Sequence, residues 1–475
     1  MRRLTSLLIA VLIFVTPFSA SAQSAGYQDA SRAAEEIHIW QLETIGTNEQ
    51  LSARAGENVC DWLVFSNARS GAGQNGDYPA AAFRYFEENK GSLSLPDAER
   101  LSVCAASAGG DIISAGMLDD VFSRLGEDTS SALINHLIFA LLALDSGRYS
   151  VPESSKVGRE EIVNEILSRQ LDSGALWMLN EKTSETDVTA MAVTALSPYV
   201  NGSPEVRSSV LKMVGYIASC VTDDGTVVNW GAPSCETTAQ TIVALCSLGI
   251  DPATDERFVR GGISPLDGLL SYKQPDGGFA HNEQSSGSDP YATAQAYYAL
   301  CAFARFKSGL RTLFDLRTEQ PSDLRRSVDS LERDIAALET QDTASASKLL
   351  SDYASLPSGE RMYVRNAAVL FDVLDANGIE NTSLYSPDSI ASDEGAAACT
   401  ANVFDNTANG EQTITAADGN YSRLDPPSST SPATSSARGH SPAEIVILLL
   451  IAAAAAGAIV FNHTVLKKSL RNNGR

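Results

Sequence analysis

Acidic side chains stand at the start of three apolar segments in the middle of the chain. They are Glu185 and Asp187, Glu236, and Asp289. Carboxyl groups at such positions can bind a polar ligand, or donate a proton if their partners perturb the pKa strongly. The same side chains suit the first turn of a helix, and Asp289 with Pro290 fits an N-cap followed by proline. Ligand binding and helix capping are therefore both open for each acid.

Uncharged polar side chains follow one turn later in the same three segments, and they are Thr189, Thr238, Thr293, Gln240 and Gln295. A glutamine in an apolar helix needs a hydrogen-bond partner, and Gln240 and Gln295 occupy equivalent positions. Direct contact between neighbouring helices and contact with a polar ligand both explain this pair.

Several aromatic side chains accompany these polar groups, and they either line a ligand cavity or belong to the core. They are Trp177, Trp230, Phe279, Tyr297 and Tyr298. The candidate ligand-binding residues are Asp187, Thr189, Glu236, Gln240, Asp289, Gln295 and Tyr297.

The three apolar segments are copies of one unit. Residues 189–196, 238–245 and 293–300 all begin with Thr-Ala and end with Ala-Leu. Each follows a glycine turn with an aromatic residue, and each turn follows an amphipathic stretch, at 160–169, 205–219 and 265–273. An amphipathic helix suits an outer ring, and a helix that is apolar nearly all round suits an inner ring.

Weaker copies of the apolar helix occupy residues 61–68, 99–106 and 137–144. Six hairpins of this kind can close into a ring, which removes the exposed ends that open repeat arrays must cap. The sequence therefore predicts an all-α protein whose main domain, residues 50–315, is an (α/α)6 toroid. Residues 23–49 are expected to be an N-terminal lead-in.

The glycine turns and Thr-Ala helices resemble the prenyltransferase and squalene-cyclase repeat. Phrases such as 61–66, 139–146, 187–192 and 236–245 are similar to exported Gram-positive proteins that carry this toroid. The toroid of cobalamin carriers is a relative. The resemblance covers about residues 50–315 and implies inner helices that begin at one common mouth. It implies the fold more specifically than an activity, because this fold hosts enzymes and binding proteins alike.

The activities known in the superfamily match this sequence only in part. Triterpene cyclases carry Asp-x-Asp-Asp-Thr-Ala, and the matching stretch here runs from Glu185 to Ala190, with Asp187 on the middle acid and Val188 in place of the last. The zinc site of protein prenyltransferases has no match beyond Cys235 and His281. Cobalamin carriers close over their ligand with a β-rich second domain that is not evident here, so a cobalamin-like ligand is implied by resemblance alone.

The seven cysteines show no spacing typical of a metal site. Cys220 and Cys235 flank a single loop, which makes them the predicted disulfide. Because seven is odd, at least one thiol is left over, and Cys399 is expected to be that one. No metal or other cofactor is assigned.

Both ends of the chain carry membrane-related signals. Residues 1–22 form a predicted secretory signal, cleaved after Ala22. Residues 445–461 form a predicted transmembrane helix, and the basic tail 462–475 is expected on the cytoplasmic side. Residues 380–440 are rich in Ser, Thr, Asp, Ala and Pro and are expected to be a disordered stalk.

Residues 322–376 are predicted to form a helical hairpin. Leu324, Val328, Leu331, Ile335 and Leu338 step by four and three residues, as in a short coiled-coil seam. A turn near Pro357 is expected to separate the two helices.

The charge of the chain narrows the classes of function. A net charge of −23 repels nucleic acid, so no nucleic-acid partner is expected. The predicted function is a single-pass cell-membrane protein with its bulk outside, binding a small ligand or surface partner at the toroid mouth. The alternatives are an enzyme of the terpene cyclase or prenyltransferase type and a structural module that binds another protein.

Overall fold

A computed structural model describes residues 18–73, 76–126, 129–178, 183–379 and residue 403, with side-chain environments from residue 26 onward. In chain order the helices of these residues are α1 (Phe18–Thr44), α2 (Asn48–Ser52), α3 (Asn58–Ser70), α4 (Tyr78–Asn89), α5 (Leu95–Ser107), α6 (Met117–Leu125), α7 (Ile134–Ser146), α8 (Arg159–Ser168), α9 (Thr186–Leu196), α10 (Pro204–Ser219), α11 (Cys235–Ser247), α12 (Pro265–Ser271), α13 (Pro290–Lys307), α14 (Ser322–Ala336), α15 (Thr343–Ser355) and α16 (Ala367–Ala376). A two-residue turn joins the antiparallel strands β1 (Val227–Asn229) and β2 (Ala232–Ser234) between α10 and α11.

Six of these helices form a closed inner ring. Each of α3, α5, α7, α9 and α11 packs against the next in this series, and α13 packs against both α11 and α3. The amphipathic helices α4, α6, α8, α10 and α12 lie outside the ring against the inner helices that they precede or follow. The fold is therefore an α/α toroid, and the six predicted inner helices are all present.

The sixth outer position is filled by α1, so residues 23–49 are not the lead-in that the sequence suggested. This helix packs against α12 and α13, with Ala30, Ala33 and Ile37 buried in the toroid core. The sequence did not reveal it because α1 precedes the first recognisable copy of the repeat.

Two of the glycine turns show why glycine is required there. Gly225 has φ +79°, and a Cβ on it would lie 2.2 Å from the carbonyl oxygen of Ser264, next to α12. Gly277 has φ +91°, and a Cβ on it would lie 2.8 Å from the carbonyl oxygen of Glu36 in α1. A left-handed backbone and a close approach to the next outer helix both favour glycine.

Aromatic side chains fill the axis of the ring. Trp62 of α3 lies 6.1 Å from Phe139 of α7 and 5.6 Å from Tyr298 of α13, as measured between ring centroids. Phe65 packs edge-on against Trp62 at 5.4 Å. All four side chains are buried. We call Trp62, Phe65, Phe139 and Tyr298 the aromatic plug, because they close the toroid to through-passage at this level.

The end of the ring where the inner helices finish is covered. A cavity of about 20 Å³ remains there, beside Arg148 and Asp145 and under Phe314 and Met362. That volume suits a single water molecule. Nε and Nη1 of Arg148 have no hydrogen-bond partner among the described residues, and a water in this cavity would supply one.

Residues 322–376 form three helices, so the predicted hairpin is wrong in helix number. Asp342 caps α15 by accepting a hydrogen bond from the Ser345 N–H at 3.0 Å, which divides the expected first helix into α14 and α15. Val328, Leu331 and Ile335 of the expected seam are buried in a small core shared with α15 and α16.

A buried network of charges joins this small bundle to the toroid. Asp315 accepts hydrogen bonds from Arg317, and Glu360 of the bundle contacts Arg311 at 2.9 Å and Arg317 at 2.9 Å. Burial raises the pKa of Asp315, but the arginines lower it more, so the net pKa lies below its usual range.

No helix in the described part of the chain is both long and apolar enough to cross a membrane. The predicted transmembrane helix 445–461, the tail 462–475 and Cys399 lie outside the described residues, as does the stalk 380–440 apart from residue 403. The predicted signal 1–22 also lies outside them, apart from its last five residues, which belong to α1.

Candidate functional site

The inner helices begin at one end of the toroid, which we call the mouth. Asp187, in the first turn of α9, is buried there and accepts a hydrogen bond from Asn229 Nδ2 at 2.9 Å. The pKa of Asp187 is raised to about 6, first by burial and also by the charge of Glu236, although hydrogen bonds from the backbone and Asn229 act to lower it. Asn229 also accepts from the Thr186 N–H at 3.0 Å, so β1 supports the start of α9.

Glu185 lies beside Asp187 and is 1% exposed. Burial and the neighbouring Asp187 raise its pKa to about 9, while a hydrogen bond with the Trp230 side chain acts to lower it. Its Oε1 atom has no hydrogen-bond partner among the described residues. At neutral pH this carboxyl group therefore holds a proton and can donate as well as accept.

Glu236, in the first turn of α11, pairs with a histidine. Both carboxylate oxygens lie 2.8 Å from Nδ1 of His281. Burial lowers the pKa of His281, but the hydrogen bond and charge of Glu236 outweigh it, and the net pKa is raised. Among the described residues no group of three or more Cys, His, Asp or Glu side chains is placed to hold a metal ion.

The two glutamines form a direct contact between neighbouring inner helices. Gln240 Nε2 donates to Gln295 Oε1 at 3.0 Å and also to the hydroxyl of Tyr298. Of the two explanations that the sequence left open, contact between helices is therefore observed. Gln295 Nε2 has no hydrogen-bond partner within the described part of the chain.

The repeated threonines hold the glycine turns against the inner helices. Thr189 Oγ1 accepts from the Leu176 N–H at 2.9 Å, and Thr238 and Thr293 accept in the same way from Val227 at 3.0 Å and Phe279 at 2.8 Å. Each hydroxyl also donates to a backbone carbonyl four residues earlier. This structural role explains Thr189 without a ligand.

Two further candidate residues are accounted for by the fold. Asp289 caps α13, accepting from the Tyr291 N–H at 2.8 Å and the Ala292 N–H at 2.9 Å. Tyr297 lies away from the mouth, with its hydroxyl 3.2 Å from Asn67 and 3.2 Å from Ser70, in the last turns of α3. It therefore belongs to the packing of α13 on α3.

The other aromatic candidates differ in exposure. Trp177 is half-buried beneath the Arg169 guanidinium, 5.3 Å from the ring centroid, and Phe279 is buried in the core. Trp230 is 40% exposed at the β1–β2 turn and has φ +52°, which is rare for an aromatic residue. It stands at the rim of the mouth, next to Glu185.

Two asparagines at the mouth were missed by sequence analysis. Asn58 is four residues before Trp62, and Asn135 is four residues before Phe139, so each lies on the axis-facing side of its helix, one turn nearer the mouth. The side-chain nitrogen and oxygen of both residues are shielded from solvent and have no partner among the described residues. Their signal was the four-residue spacing from a buried aromatic residue.

We call Asn58, Asn135, Glu185, Asp187, Glu236 and Gln295 the polar layer. They come from, or immediately precede, five of the six inner helices, and all lie within the first two turns. The charges of Glu236 and Asp187 influence Tyr298, which places both acids close to the aromatic plug. Glu99 of α5 is also buried without a partner among the described residues, but its charged neighbours are Arg124 and Asp97, so it is not counted here.

The predicted disulfide between Cys220 and Cys235 is absent, and both thiols are free of any disulfide. Cys220 Sγ lies 3.7 Å from Thr186 Oγ1, whereas Cys235 Sγ lies 3.7 Å from the Ala292 carbonyl oxygen. The hairpin between them directs one sulfur to α9 and the other to α13. Flanking a single loop was therefore not enough to bring them together.

Comparison with known proteins adds little about activity. No protein-family model matches the sequence, and no curated protein matches it. One similar solved structure is an unsaturated glucuronyl hydrolase from Bacillus sp. GL1, responsible for the degradation of glycosaminoglycan. The two chains are 13% identical with a TM-score of 0.44, covering 61% of this chain and 98% of that chain. Likeness at this level supports no statement about activity.

Proposed function

We propose that this protein is anchored in the cell membrane with its bulk outside, and that its toroid binds a small ligand at the mouth. The observation that carries the binding proposal is the polar layer, in which atoms of Asn58, Asn135, Glu185 and Gln295 are buried just above the aromatic plug with no partner among the described residues. Buried polar groups in native proteins are almost always hydrogen-bonded. A ligand seated at the mouth would supply the missing partners.

Two buried acids elsewhere in the toroid, Asp61 and Asp145, support the same proposal by contrast. Asp61 pairs with Arg100 at 2.9 Å, and Asp145 pairs with Arg159 at 2.8 Å. Glu185 and Asp187 are equally buried, but they form hydrogen bonds with Trp230, Asn229 and the backbone and not with an arginine among the described residues. Carboxyl groups with strongly perturbed pKa values concentrate at functional sites, because binding and catalysis use shifted pKa values.

Binding is tested with the purified full-length chain in a detergent that lacks a sugar headgroup. Corrinoids, isoprenoids, short peptides and sugars are screened for a saturable rise in melting temperature. We expect a rise with at least one class, lost on Asp187→Asn and retained on Asp223→Asn, an exposed acid of the same hairpin region. A rise that survives Asp187→Asn would place the ligand elsewhere and contradict the proposal.

Anchoring is tested separately on intact cells. The apolar run 445–461, followed by a tail with Lys467, Lys468, Arg471 and Arg475, supports one membrane crossing with the tail inside. Protease added to intact cells should release the toroid, while a tag placed after Arg475 stays in the membrane fraction. A tag that the protease removes without permeabilising the cells would reverse this topology.

The filled axis favours a second candidate, a structural module that binds another protein. An isoprenoid-processing enzyme needs an open apolar chamber, whereas Trp62, Phe139 and Tyr298 meet across this ring. If no ligand class shifts the melting temperature, the structural module becomes the better explanation.

A further inference from the structure

The unpartnered atoms of the polar layer define the kind of ligand that would satisfy them. Three amides have N–H groups without acceptors in the described part of the chain: Asn58, Asn135 and Gln295. The carbonyl oxygens of Asn58 and Asn135 and the Oε1 atom of Glu185 lack donors among the described residues. The ligand must therefore donate and accept hydrogen bonds at the same level of the ring.

Charged ligands meet only half of this requirement. An ammonium ion would satisfy the oxygens but has no lone pair for the three amide N–H groups. An anion would satisfy those N–H groups but would lie near Asp187 and Glu236, and the charges of both acids act on Tyr298 just below. Hydroxyl groups donate and accept at once, so a neutral ligand with several hydroxyls meets both needs.

The aromatic plug supplies the other half of the recognition surface. Trp62, Phe139 and Tyr298 lie one turn below the polar layer, on the same axis-facing side. Ligand sites commonly combine an apolar or aromatic surface with a few polar groups that fix orientation. The C–H faces of a sugar ring suit the aromatic side, and its hydroxyls suit the polar layer.

We propose that the mouth binds a neutral sugar residue, with Asn135 and Gln295 donating to its hydroxyls and the Oε1 atom of Glu185 forming a hydrogen bond with another hydroxyl. This inference rests on the proposed ligand-binding function and names its ligand class. The acid cluster does not carry it alone, because Asn135 and Gln295 are each 1% exposed and independently lack partners among the described residues. Trp230 at the rim is placed to contact a following residue if the sugar is the end of a glycan.

The test is calorimetric titration of the full-length chain in a detergent without a sugar headgroup. The probes are a panel of neutral monosaccharides, their linear oligomers, and spermidine as a cationic probe. We expect saturable binding of at least one sugar, weakened at least tenfold by Gln295→Leu and by Asn135→Ala. The matched controls Gln284→Leu and Asn282→Ala change residues outside the polar layer and should bind as the parent does.

The outcomes separate this inference from the proposed function. If oligomers bind more tightly than monosaccharides, the ligand is the end of a glycan. If both bind equally, the ligand is a free sugar. Either result supports the inference. Binding of spermidine alone, lost on Asp187→Asn, would overturn the sugar inference and keep a ligand at the mouth. No binding of any probe by protein with a normal melting transition would overturn the sugar inference, and the broader ligand screen would then decide the proposed function.

The variants need a control for folding, because both change buried residues. Gln295→Glu keeps the side chain's size and its acceptor to Gln240 but removes the free amide nitrogen. The melting temperature of Gln295→Glu should lie closer to that of the parent than the melting temperature of Gln295→Leu does, and Gln295→Glu should still lose sugar binding. Retained binding in a folded Gln295→Glu protein would contradict the role assigned to this nitrogen.

Discussion

Gln240 and Gln295 meet side chain to side chain at 3.0 Å, which links α11 to α13 inside the toroid. The same Gln240 nitrogen reaches Tyr298, so one amide orders both a neighbouring helix and the aromatic plug. The contact fixes the orientation of Gln295 and leaves its own nitrogen available at the mouth.

Replacing Gln240 by leucine should destabilise the protein by about 1–3 kcal/mol, because it leaves a buried acceptor on Gln295 without a donor. Denaturant unfolding measures this, with Gln284→Leu on the surface as the control. The double variant Gln240→Leu with Gln295→Leu should lose less than the sum of the single losses, since no polar partner is left unpaired. Strict additivity would show that the hydrogen bond contributes nothing.

Replacing Thr238 by valine should cost about 1–3 kcal/mol, because the buried Val227 N–H loses its acceptor. Thr238→Ser keeps the hydroxyl and should cost less. Hydrogen exchange should show the Val227 amide losing protection in the valine variant, while Thr254→Val on the surface leaves it unchanged. Unchanged exchange at Val227 would mean that the threonine does not hold this turn.

Stability should fall as the pH rises from about 5 to about 9, with Glu185 as one cause. Its pKa is raised from 4.5 to about 9 on folding, so the folded state binds a proton that the unfolded state has released in this window. The stabilising contribution is complete below about pH 4 and is lost as the pH approaches 9. Melting curves of Glu185→Gln should therefore decline less between about pH 5 and about pH 9 than those of the parent.

The control for this pH series is Glu283→Gln, which changes an exposed acid. Its melting temperature should follow the parent at every pH. Parallel curves for parent and Glu185→Gln would refute the raised pKa.

Replacing Asp315 by asparagine should destabilise the junction between bundle and toroid by about 3–5 kcal/mol, the usual loss when one partner of a buried ion pair is removed. The change leaves Arg311 and Arg317 with Glu360 as their shared carboxylate partner. Limited proteolysis should cut faster between the toroid and α14, whereas Asp323→Asn on the surface should have no effect. An unchanged cleavage rate would exclude this network as the link.

Replacing Trp230 by asparagine should change stability little, because the better tolerance of asparagine for a positive φ offsets the lost hydrogen bond between the Trp230 side chain and Glu185. The same change should weaken ligand binding if Trp230 serves the mouth. Stability that falls together with binding would show that the tryptophan is structural, and Trp177→Asn gives a comparison outside the hairpin.

The sequence predicted the ring of inner helices more completely than it predicted the side chains inside the ring. The Thr-Ala and Ala-Leu pattern located the inner helices, because each threonine performs the same backbone task in its own copy. Asp187, Glu236, Gln240 and Gln295 were recognised because they break an apolar pattern at equivalent places. Asn58 and Asn135 were not, since their importance comes from Trp62 and Phe139 meeting across the ring.

Other misses have equally local causes. The contact between Tyr297 and Asn67 spans 230 residues of sequence, which no periodic pattern reveals. The division between α14 and α15 depends on one capping residue, Asp342, within an otherwise helical stretch. Cys220 and Cys235 are near in sequence, but their sulfur atoms contact different helices, α9 and α13.

A ring completed by its earliest and latest helices cannot be assembled piecemeal. Because α3 is joined to α13, and α1 lies against α12 and α13, the first helices lack the neighbours on one side until nearly all of the toroid has been synthesised. Contacts of such long sequence separation slow folding. Gain or loss of a single hairpin would also change the angle between all neighbouring hairpins of the ring. Proteins with this architecture are therefore expected to differ in their loops and not in their number of repeats.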